Sequence, residues 1–350
     1  RTKKECKTEN TMWFSSSLTQ SSPLSLYKPN LHSSQSLTLP TKTPTARADA
    51  VCSSTTPLIL PSHVNSITST SNPFVKHCVK LRNSSSYRHS HGSVLLVGST
   101  PIREMYSFQE SKDEKASRID CLLLHENSQV PEDFIESGIR IVRVSSLVMK
   151  KLCGVQSTES IDAVSLVKIP STFLNLDDDH CLDSSKWFPS AFRILVLDGI
   201  QDPGNLGTLL RSAVAFGWDG AFLLPGCCDP FNEKALRASR GASFQLPMVS
   251  GQWSHLHSLF DGLKMKILAG DPGSKDRPVS CLTYELARSL IDTKLCLVLG
   301  SEGGGISEEA REAAELVSIR MSGEFESLNV SVAGGIFLFM LQPQNKELVK

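Results

Sequence analysis

The C-terminal half of the chain alternates short apolar runs with segments of helical periodicity, and this pattern constrains the fold most. The apolar runs lie at residues 194–197, 221–224, 266–269 and 295–299, and the helical patterns at 206–216, 233–238 and 308–314. Strands that alternate with helices form a mainly parallel sheet with helices on both faces. Ligands of such sheets bind where loops leave the carboxyl ends of the strands. The sequence therefore predicts an α/β domain over residues 191–342, with a site at that edge.

A smaller α/β domain is predicted before it, over residues 67–170. Its apolar runs lie at 94–97, 121–124 and 139–144, and its helical patterns at 102–109 and 146–152. The stretch 171–190 is polar and acidic and is predicted to be a linker, and residues 343–350 are predicted to be a C-terminal tail. A chain of 350 residues has room for two domains of ordinary size.

Residues 1–66 are predicted to form a disordered leader. From Met12, which could serve as an initiator, to about Thr70 the chain is crowded with Ser, Thr, Pro and Asn. Asp49 is the only acidic residue between Met12 and Arg103. A serine-rich, acid-poor and basic start is typical of a transit peptide for the chloroplast or the mitochondrion, and the chloroplast is the expectation here. A low-complexity tail without a targeting role is the alternative.

Composition narrows the classes of protein to consider. The 36 basic and 36 acidic side chains cancel, so a polyanion such as RNA would need a local basic surface. The ten cysteines form no Cys-x-x-Cys pair, which argues against a structural zinc site. Those inside apolar runs, such as Cys121 and Cys296, are predicted to be buried thiols. No apolar run approaches the roughly 18–20 residues of a membrane span.

Three segments of the larger domain carry residues that suggest chemistry. The first follows the strand at 194–197 and includes Asn205-Leu-Gly-Thr-Leu-Leu-Arg211. A Pro-Gly turn precedes Asn205, which occupies a position typical of a helix N-cap. Arg211 lies less than two helical turns further on, so its long side chain could reach the loop. The spacing fits equally well an arginine on the helix surface that pairs with an acid.

The second segment, residues 297–307, has glycine at positions 300, 303, 304 and 305. Four glycines within six positions indicate a backbone that has no room for a Cβ or approaches a ligand closely. Glu302 lies among them, either as a functional carboxylate or as an acceptor for loop amides. The segment contains neither Gly-x-Gly-x-x-Gly nor a Lys-Ser/Thr ending, which disfavours a dinucleotide-dependent oxidoreductase and a nucleoside triphosphatase.

The third segment, residues 319–336, contains Ser327, Asn329 and Ser331 before a run of small and apolar residues. That run is predicted to form a buried helix. Serine and asparagine are ordinary helix caps. Three such side chains within five positions, beside a glycine-containing loop, favour a functional role as well.

In this order the three segments resemble the SpoU/TrmH branch of the SPOUT RNA methyltransferases. The motifs are Asn-x-Gly-x-x-x-Arg at 205–211, Gly-x-Glu-Gly-x-Gly at 300–305 and Ser-Leu-Asn-Val-Ser at 327–331. The resemblance covers about residues 67–341. It implies a trefoil-knotted α/β fold, S-adenosylmethionine as methyl donor and a homodimer that methylates the ribose 2'-hydroxyl of RNA, ribosomal RNA more than transfer RNA. General topology rules would exclude a knot, so that expectation comes from the resemblance alone.

The resemblance also implies roles for individual residues. Arg211 would stabilise the negative charge that develops on the attacking 2'-oxygen, because an arginine is hardly deprotonated in proteins. The other catalytic candidates would orient the ribose, the arginine and the donor; they are Asn205, Glu302, Ser327 and Asn329. No metal is required.

The resemblance also implies which residues bind the methyl donor and the RNA. The donor would lie against Gly300, Ile319 and Leu328. The smaller domain resembles the family's substrate-binding domain, since Asn72-Pro-Phe-Val-Lys76 matches its opening pattern. RNA phosphates are expected to bind basic side chains, namely Lys76, Lys80, Arg82, Arg237 and Arg240.

Two further readings stay open beside this one. A non-catalytic RNA-binding or ribosome-assembly factor could keep the same knotted fold, although the intact motifs argue against a site that has lost its activity. A base-methylating relative is the nearest catalytic alternative, and the Ser-Leu-Asn-Val-Ser segment favours the ribose instead.

Overall fold

The computed structural model describes residues 60–343, apart from 112–118, 136, 156–160, 162, 177–185, 274–276 and 324–325. The described residues form two α/β domains, each built on one sheet. Most of the predicted leader and tail lies outside these residues. Among the helices described, none has the length and apolar character needed to cross a bilayer.

Among its described residues, the smaller domain contains a five-stranded sheet and four helices. Its strands are β1 (Ser66–Ile67), β2 (Ser93–Val97), β3 (Ile119–His125), β4 (Ile141–Val144) and β5 (Ala163–Lys168). Its helices are α1 (Pro73–Asn83), α2 (Ser85–His91), α3 (Ser99–Ser111) and α4 (Ser146–Cys153). The strand order is β1-β4-β3-β5-β2, with β5 antiparallel to both of its neighbours.

The two faces of this sheet are covered differently. Helices α1 and α4 pack on one face through residues such as Leu81 and Met149. Helix α3 packs on the other face through Ile102 and Met105, which share a core cluster with the larger domain. Alternate residues of β2 point to opposite faces, as the period of a strand requires, so the sheet is buried on both sides.

The larger domain contains an eight-stranded sheet and six helices among its described residues. Its strands are β6 (Phe173–Asn175), β7 (Arg193–Asp198), β8 (Gly220–Leu223), β9 (Met248–Ser250), β10 (Lys266–Gly270), β11 (Ser280–Cys281), β12 (Leu295–Gly300) and β13 (Glu315–Ser318). Its helices are α5 (Pro203–Ala215), α6 (Glu233–Ser239), α7 (Trp253–Leu263), α8 (Tyr284–Ser289), α9 (Glu308–Ala313) and α10 (Val330–Met340).

Every strand pair of this sheet is parallel, in the order β11-β13-β10-β12-β7-β8-β9-β6. Helices α5 and α10 pack on one face, through side chains such as Leu209 and Phe337. Helices α7 and α9 pack on the other, through Leu259 and Ala310. The predicted parallel sheet with helices on both faces is therefore confirmed. The knot stays a prediction.

The structure moves two of the predicted boundaries. Leu60 is buried in the smaller domain, and β1 begins at Ser66, so this domain includes residues before position 67. The predicted linker is wrong at both ends: β6 pairs with β9 as an edge strand of the larger sheet, and Trp187 is buried in its core. Strand β6 is only three residues long, too short to show the periodicity that marks a strand.

The larger domain depends on a buried arginine at the start of its first central strand. Arg193 is 1% exposed and donates to the carbonyls of Leu290 at 2.9 Å and Leu341 at 2.8 Å. It also donates to the carbonyls of Ile291 and Thr293. Burial lowers the pKa of Arg193 to about 10, which still leaves the guanidinium charged at neutral pH. The side chain thereby joins the ends of α8 and α10 to β7.

A second buried charge joins the two domains. Arg88 of α2 is 3% exposed, and its Nη2 lies 2.5 Å from Oδ2 of Asp229 in the larger domain. Ser85 donates to the same oxygen at 2.6 Å. Burial alone would raise the pKa of Asp229, but hydrogen bonds from His89 and Ser85 and the charge of Arg88 outweigh it and lower the pKa well below its usual range.

Asp229→Asn should therefore destabilise the protein by about 3 kcal/mol, because it leaves a buried guanidinium without its counter-charge. Urea denaturation at neutral pH measures this. The control is Asp120→Asn, which breaks an exposed pair with Lys168 and should cost less than about 1 kcal/mol. Since the carboxylate must ionise to contribute, the difference between wild type and Asp229→Asn should shrink below about pH 4. Equal effects of the two substitutions would contradict the prediction.

Candidate active site

The three motif segments meet at the carboxyl edge of the parallel sheet, where the sequence predicts a site. In the pairing of β7 with β12, Asp198 lies opposite Gly300. Strand β10 pairs on the far side of β12, with Gly270 opposite Leu299. The loops that follow these strands therefore leave the sheet side by side.

The glycine loop after β12 folds back on itself. The amide of Ser301 donates to the carbonyl of Gly305 and the reverse bond also forms, both at 2.9 Å. A Cβ at Gly300 would overlap the carbonyl of Gly305, and Gly305 has a φ of +66°, which favours glycine. Gly303, in contrast, has open space around it. Two of the four glycines are thus required by the backbone, as the sequence predicts.

A buried carboxylate that the sequence analysis does not single out holds the far end of this loop. Asp198 is 8% exposed, and its Oδ2 accepts a hydrogen bond from the amide of Ser307 at 2.7 Å. Ser307 is the N-cap of α9. Cys227 supports the same strand end by donating to the carbonyl of Leu197 at 3.1 Å. Burial raises the pKa of Cys227 to about 11, so the thiol keeps the proton that it donates.

The N-cap of α5 differs from the prediction. Asp202 occupies that position and accepts from the amide of Asn205 at 2.8 Å. Asn205 lies in the first turn instead, with Pro203 at the start of the helix. Asp and Asn are about equally good caps, and the sequence pattern alone could not choose between them. The side chain of Asn205 is therefore free to face the glycine loop.

One carboxylate oxygen connects all three motif segments. Oε1 of Glu302 accepts from Nδ2 of Asn205 at 2.5 Å and from Nδ2 of Asn329 at 2.6 Å. The two amides also bond to each other, from Nδ2 of Asn329 to Oδ1 of Asn205 at 3.3 Å. Among the described residues, none donates to Oε2 of Glu302. We call these three side chains the amide–carboxylate cluster.

Asn329 serves as a helix cap and as a member of this cluster at once. Its Oδ1 accepts from the amide and the hydroxyl of Ser331, at 2.9 and 2.6 Å, as the N-cap of α10. Because the oxygen is fixed in this way, the Nδ2 group must point at Glu302. The start of α10 therefore sets the orientation of the cluster.

A cavity of about 220 Å³ lies beside the cluster, between the loops after β10, β12 and β13. It is lined by all three predicted donor-binding residues, Gly300, Ile319 and Leu328, and by Ser327. Ser327 reaches this cavity but makes no hydrogen bond to the cluster. We call this space the glycine-lined cavity. A second cavity, lined by Asp202, Asn205 and Glu302, adjoins it.

Asp271 is a further lining residue that the sequence analysis misses. It follows β10, is 4% exposed, and accepts from Nη1 of Arg311 at 2.6 Å. It also accepts from the amide of Gly273 at 2.8 Å. An aspartate at the end of a parallel strand, next to two glycine positions, is the signal that could have indicated it.

The structure does not bring Arg211 to the amide–carboxylate cluster of its own chain. Arg211 lies on the exposed face of α5 and lines a separate cavity with Arg103, Glu104 and Arg240. Six residues of helix rotate a side chain about 120° away from the starting face, counted at 3.6 residues per turn. The expectation that Arg211 reaches the loop within one chain is wrong.

The predicted RNA-binding residues have divergent surroundings. Lys76 and Lys80 are exposed, and Lys80 lies over the ring of Tyr87 at 5.6 Å. Arg82 donates to the carbonyls that end α4 and lies 3.6 Å from Glu233, which makes it a structural residue. Arg237 also pairs with Glu233, at 2.6 Å, and Arg240 pairs with Glu104 at 2.5 Å. The prediction that Arg82 binds RNA rests on its charge alone, because the sequence does not show its partners in the folded chain.

Comparison with known proteins agrees with this geometry. The model of the SpoU rRNA Methylase family matches residues 193–339. A tRNA/rRNA methyltransferase of Synechocystis sp., described as uncharacterized, is 30% identical over 287 residues, covering 81% of this chain and 96% of that protein. The chain belongs to the SpoU family.

Other methyltransferases are similar in sequence or in fold. A Bacillus subtilis 23S rRNA (guanosine-2'-O)-methyltransferase is 30% identical over 224 residues, 63% of this chain and 79% of that protein. The crystal structure of an AdoMet-bound rRNA methyltransferase from Sinorhizobium meliloti has a TM-score of 0.61 at 24% identity, covering 79% of this chain and 97% of that one. The structure of an RNA 2'-O ribose methyltransferase gives 0.60 at 25% identity, with the same coverage.

Gly300→Ala should weaken binding of S-adenosylmethionine by about tenfold or more, because the added methyl group displaces the glycine loop from the cavity wall. Isothermal titration calorimetry with the full chain measures this. The matched control is Gly303→Ala in the same loop, where a Cβ meets no neighbouring atom, and its affinity should stay within about twofold of wild type. Equal losses in the two variants would show that the loop tolerates no alanine at all and would remove the specific role of Gly300.

Proposed function

We propose that this protein transfers the methyl group of S-adenosylmethionine to a ribose 2'-hydroxyl of ribosomal RNA. The observation that carries the proposal is the amide–carboxylate cluster, which joins the three SpoU motifs through one oxygen of Glu302 beside the glycine-lined cavity. The names of the relatives support ribosomal RNA as the substrate, since those from Bacillus subtilis and Escherichia coli are both 23S rRNA guanosine 2'-O-methyltransferases.

The residues of the glycine-lined cavity fit this donor. Its wall contains the carboxylates of Glu302 and Asp271, and Asp271 is already paired with Arg311 behind the wall. Among the described lining residues there is no cationic side chain, so the carboxylate of Glu302 gives the cavity its negative charge. A cation is favoured in such surroundings. Leu299, Ile319 and Phe337 supply apolar surface for a nucleoside. When bound, S-adenosylmethionine supplies an electrophilic methyl group on a positively charged sulfur.

The chain's own residues prepare the nucleophile. A ribose hydroxyl attacks poorly until its proton is drawn away or its developing charge is stabilised. The Oε1 atom of Glu302 is held by two amides, which leaves Oε2 as an acceptor for a ribose hydroxyl. Asn205 and Asn329 keep that carboxylate in place. Ser327, at the cavity wall, orients the bound donor.

Arg211 completes the site from a second copy of the chain. Its face of α5 is exposed, and the neighbouring helix α10 exposes Val332 and Phe339 by about half. Helix α10 is therefore buried on the face that packs on the sheet, as predicted, and exposed on its other face. A homodimer that covers α5 and α10 would bury these apolar side chains and carry Arg211 to the partner's cluster. There the guanidinium would stabilise the charge on the 2'-oxygen.

Two other functions compete with this one. A ribosome-assembly factor without activity would not need the two hydrogen bonds that hold Oε1 of Glu302, since neither the fold nor RNA affinity depends on them. A base methyltransferase would have to present a ring nitrogen or carbon instead of a sugar oxygen. Both are distinguished from the proposal by mapping 2'-O-methyl groups in ribosomal RNA made with and without the protein.

Arg211→Ala should lower methyl transfer about 100-fold or more while donor binding is unchanged. Heterodimers of Arg211→Ala with Gly300→Ala chains, purified with two different affinity tags, test the dimer. If Arg211 acts across the dimer, each heterodimer keeps one intact site of two and should recover about half of the wild-type activity. If the heterodimers are as inactive as the two parent variants, Arg211 acts in the site of its own chain. Activity of Arg211→Ala close to wild type would remove Arg211 from the reaction.

The composition of residues 12–59 supports import into an organelle, for which we propose the chloroplast. A fluorescent protein fused to the C-terminus of the full chain should coincide with chlorophyll in leaf cells. Deletion of residues 12–59 should disperse the signal. Coincidence with a mitochondrial marker would assign the other organelle, and a diffuse signal from the full chain would contradict targeting.

A further inference from the structure

We propose that a cleft between the two domains binds RNA phosphates that flank the target nucleotide, through Arg103 and Arg240, beside the Arg211 that we assign to the reacting ribose. The proposal rests on the function proposed above and adds a binding site to it. The cleft lies between α3 of the smaller domain and α5 and α6 of the larger one and has a volume of about 440 Å³. We call it the interdomain cleft.

The packing of the domains forms this cleft. Helix α3 carries Arg103 and Glu104, α5 carries Arg211, and Arg240 ends α6 in a left-handed conformation with a φ of +48°. Gly241, next in the chain, has a φ of +90°, and a Cβ there would lie 3.3 Å from the amide of Met105 in α3. The close approach at Gly241 thus sets Arg240 against the smaller domain.

The charge of the cleft is unbalanced. Among the described residues, three guanidinium groups line it, against the carboxylate of Glu104. Arg103 and Arg211 are exposed and have no ion-pair or hydrogen-bond partner among the described residues. Guanidinium groups bind phosphate through paired hydrogen bonds and are the side chains best suited to it. Ser107 and Gln245 add neutral polar groups to the wall.

Glu104 competes with RNA for one of these arginines. Its Oε1 lies 2.5 Å from Nη2 of Arg240, while its Oε2 is buried and has no hydrogen-bond partner. The carboxylate therefore holds Arg240 through one oxygen only, which leaves the other N–H groups of the guanidinium to donate to a phosphate. A phosphate can bind these groups, and Glu104 then opposes binding by its negative charge.

The position of the cleft gives it a function beyond general affinity. Arg211 is the residue that we assign to the reacting ribose, and Arg103 and Arg240 line the same cavity. Phosphates held there would fix the register of the strand on each side of the target, since backbone contacts position a nucleic acid without reading its sequence. Arg103 and Arg240 are accordingly positioning residues.

The experiment measures binding of a fluorescent single-stranded RNA of about 20 nucleotides to the full chain, by anisotropy, from about 50 to about 200 mM KCl. Arg103→Gln should weaken binding roughly fivefold and reduce the slope of log K against log salt by about 0.7, the value for one phosphate contact on a single strand. In methylation assays the KM for ribosomal RNA should rise by a similar factor while kcat is unchanged.

Two further variants serve as a reverse test and as a control for Arg103→Gln. Glu104→Gln should act in the opposite direction and tighten RNA binding a few-fold, because it removes the charge that competes for Arg240. Lys264→Gln removes one positive charge at the end of α7, on the opposite face of the larger sheet, and should leave affinity within about twofold of wild type. If Arg103→Gln has no larger effect than Lys264→Gln, or if Glu104→Gln weakens binding, the cleft is not a phosphate site.

The binding assay is independent of the reaction. If RNA binding follows these predictions while no methyl transfer is detected, the proposed function fails and the interdomain cleft stands. If methyl transfer proceeds and the three variants bind RNA equally, the cleft proposal fails and the proposed function stands.

Discussion

The parallel pairing of β7 with β12 is the interaction on which the site depends. It sets Asp198 opposite Gly300, so that the loop of the first motif and the loop of the second leave the sheet together. The carboxylate of Asp198 then holds the amide of Ser307, which fixes the far end of the glycine loop. The third motif reaches the same place because α10 begins at Asn329, whose amide group turns toward Glu302.

The two domains of this SpoU protein form one body, not two modules on a linker. A single hydrophobic cluster contains Ile102 and Met105 of α3 together with Leu206 and Leu210 of α5. The buried pair of Arg88 with Asp229 adds a charged contact that is costly to break. A rigid junction of this kind can hold basic side chains from both domains at fixed distances, which a flexible linker cannot do.

The sequence predicted the central strands and the glycine loop because their signals are local. Strand β12 is a continuous apolar run, and Gly300 is required by its own backbone contacts. Strand β6 was not predicted because three residues at a sheet edge are too few to show the alternation of apolar and polar side chains that marks a strand. The roles of Arg82 and Arg88 depend on Glu233 and Asp229, about 140 to 150 residues away, and no local rule contains such partners. The N-cap of α5 is Asp202 instead of the predicted Asn205, and the sequence could not distinguish them because both residue types are good caps.

Arg193 has a consequence for the order in which the larger domain folds. Its hydrogen bonds reach carbonyls about 100 to 150 residues later in the chain, at Leu290 and Leu341. Until those carbonyls arrive, β7 cannot take its central place in the sheet without burying an unsatisfied cation. Closing such long loops is slow. We therefore expect the larger domain to complete its fold only after its C-terminal helix is available, because the guanidinium of Arg193 lacks part of its acceptors until then.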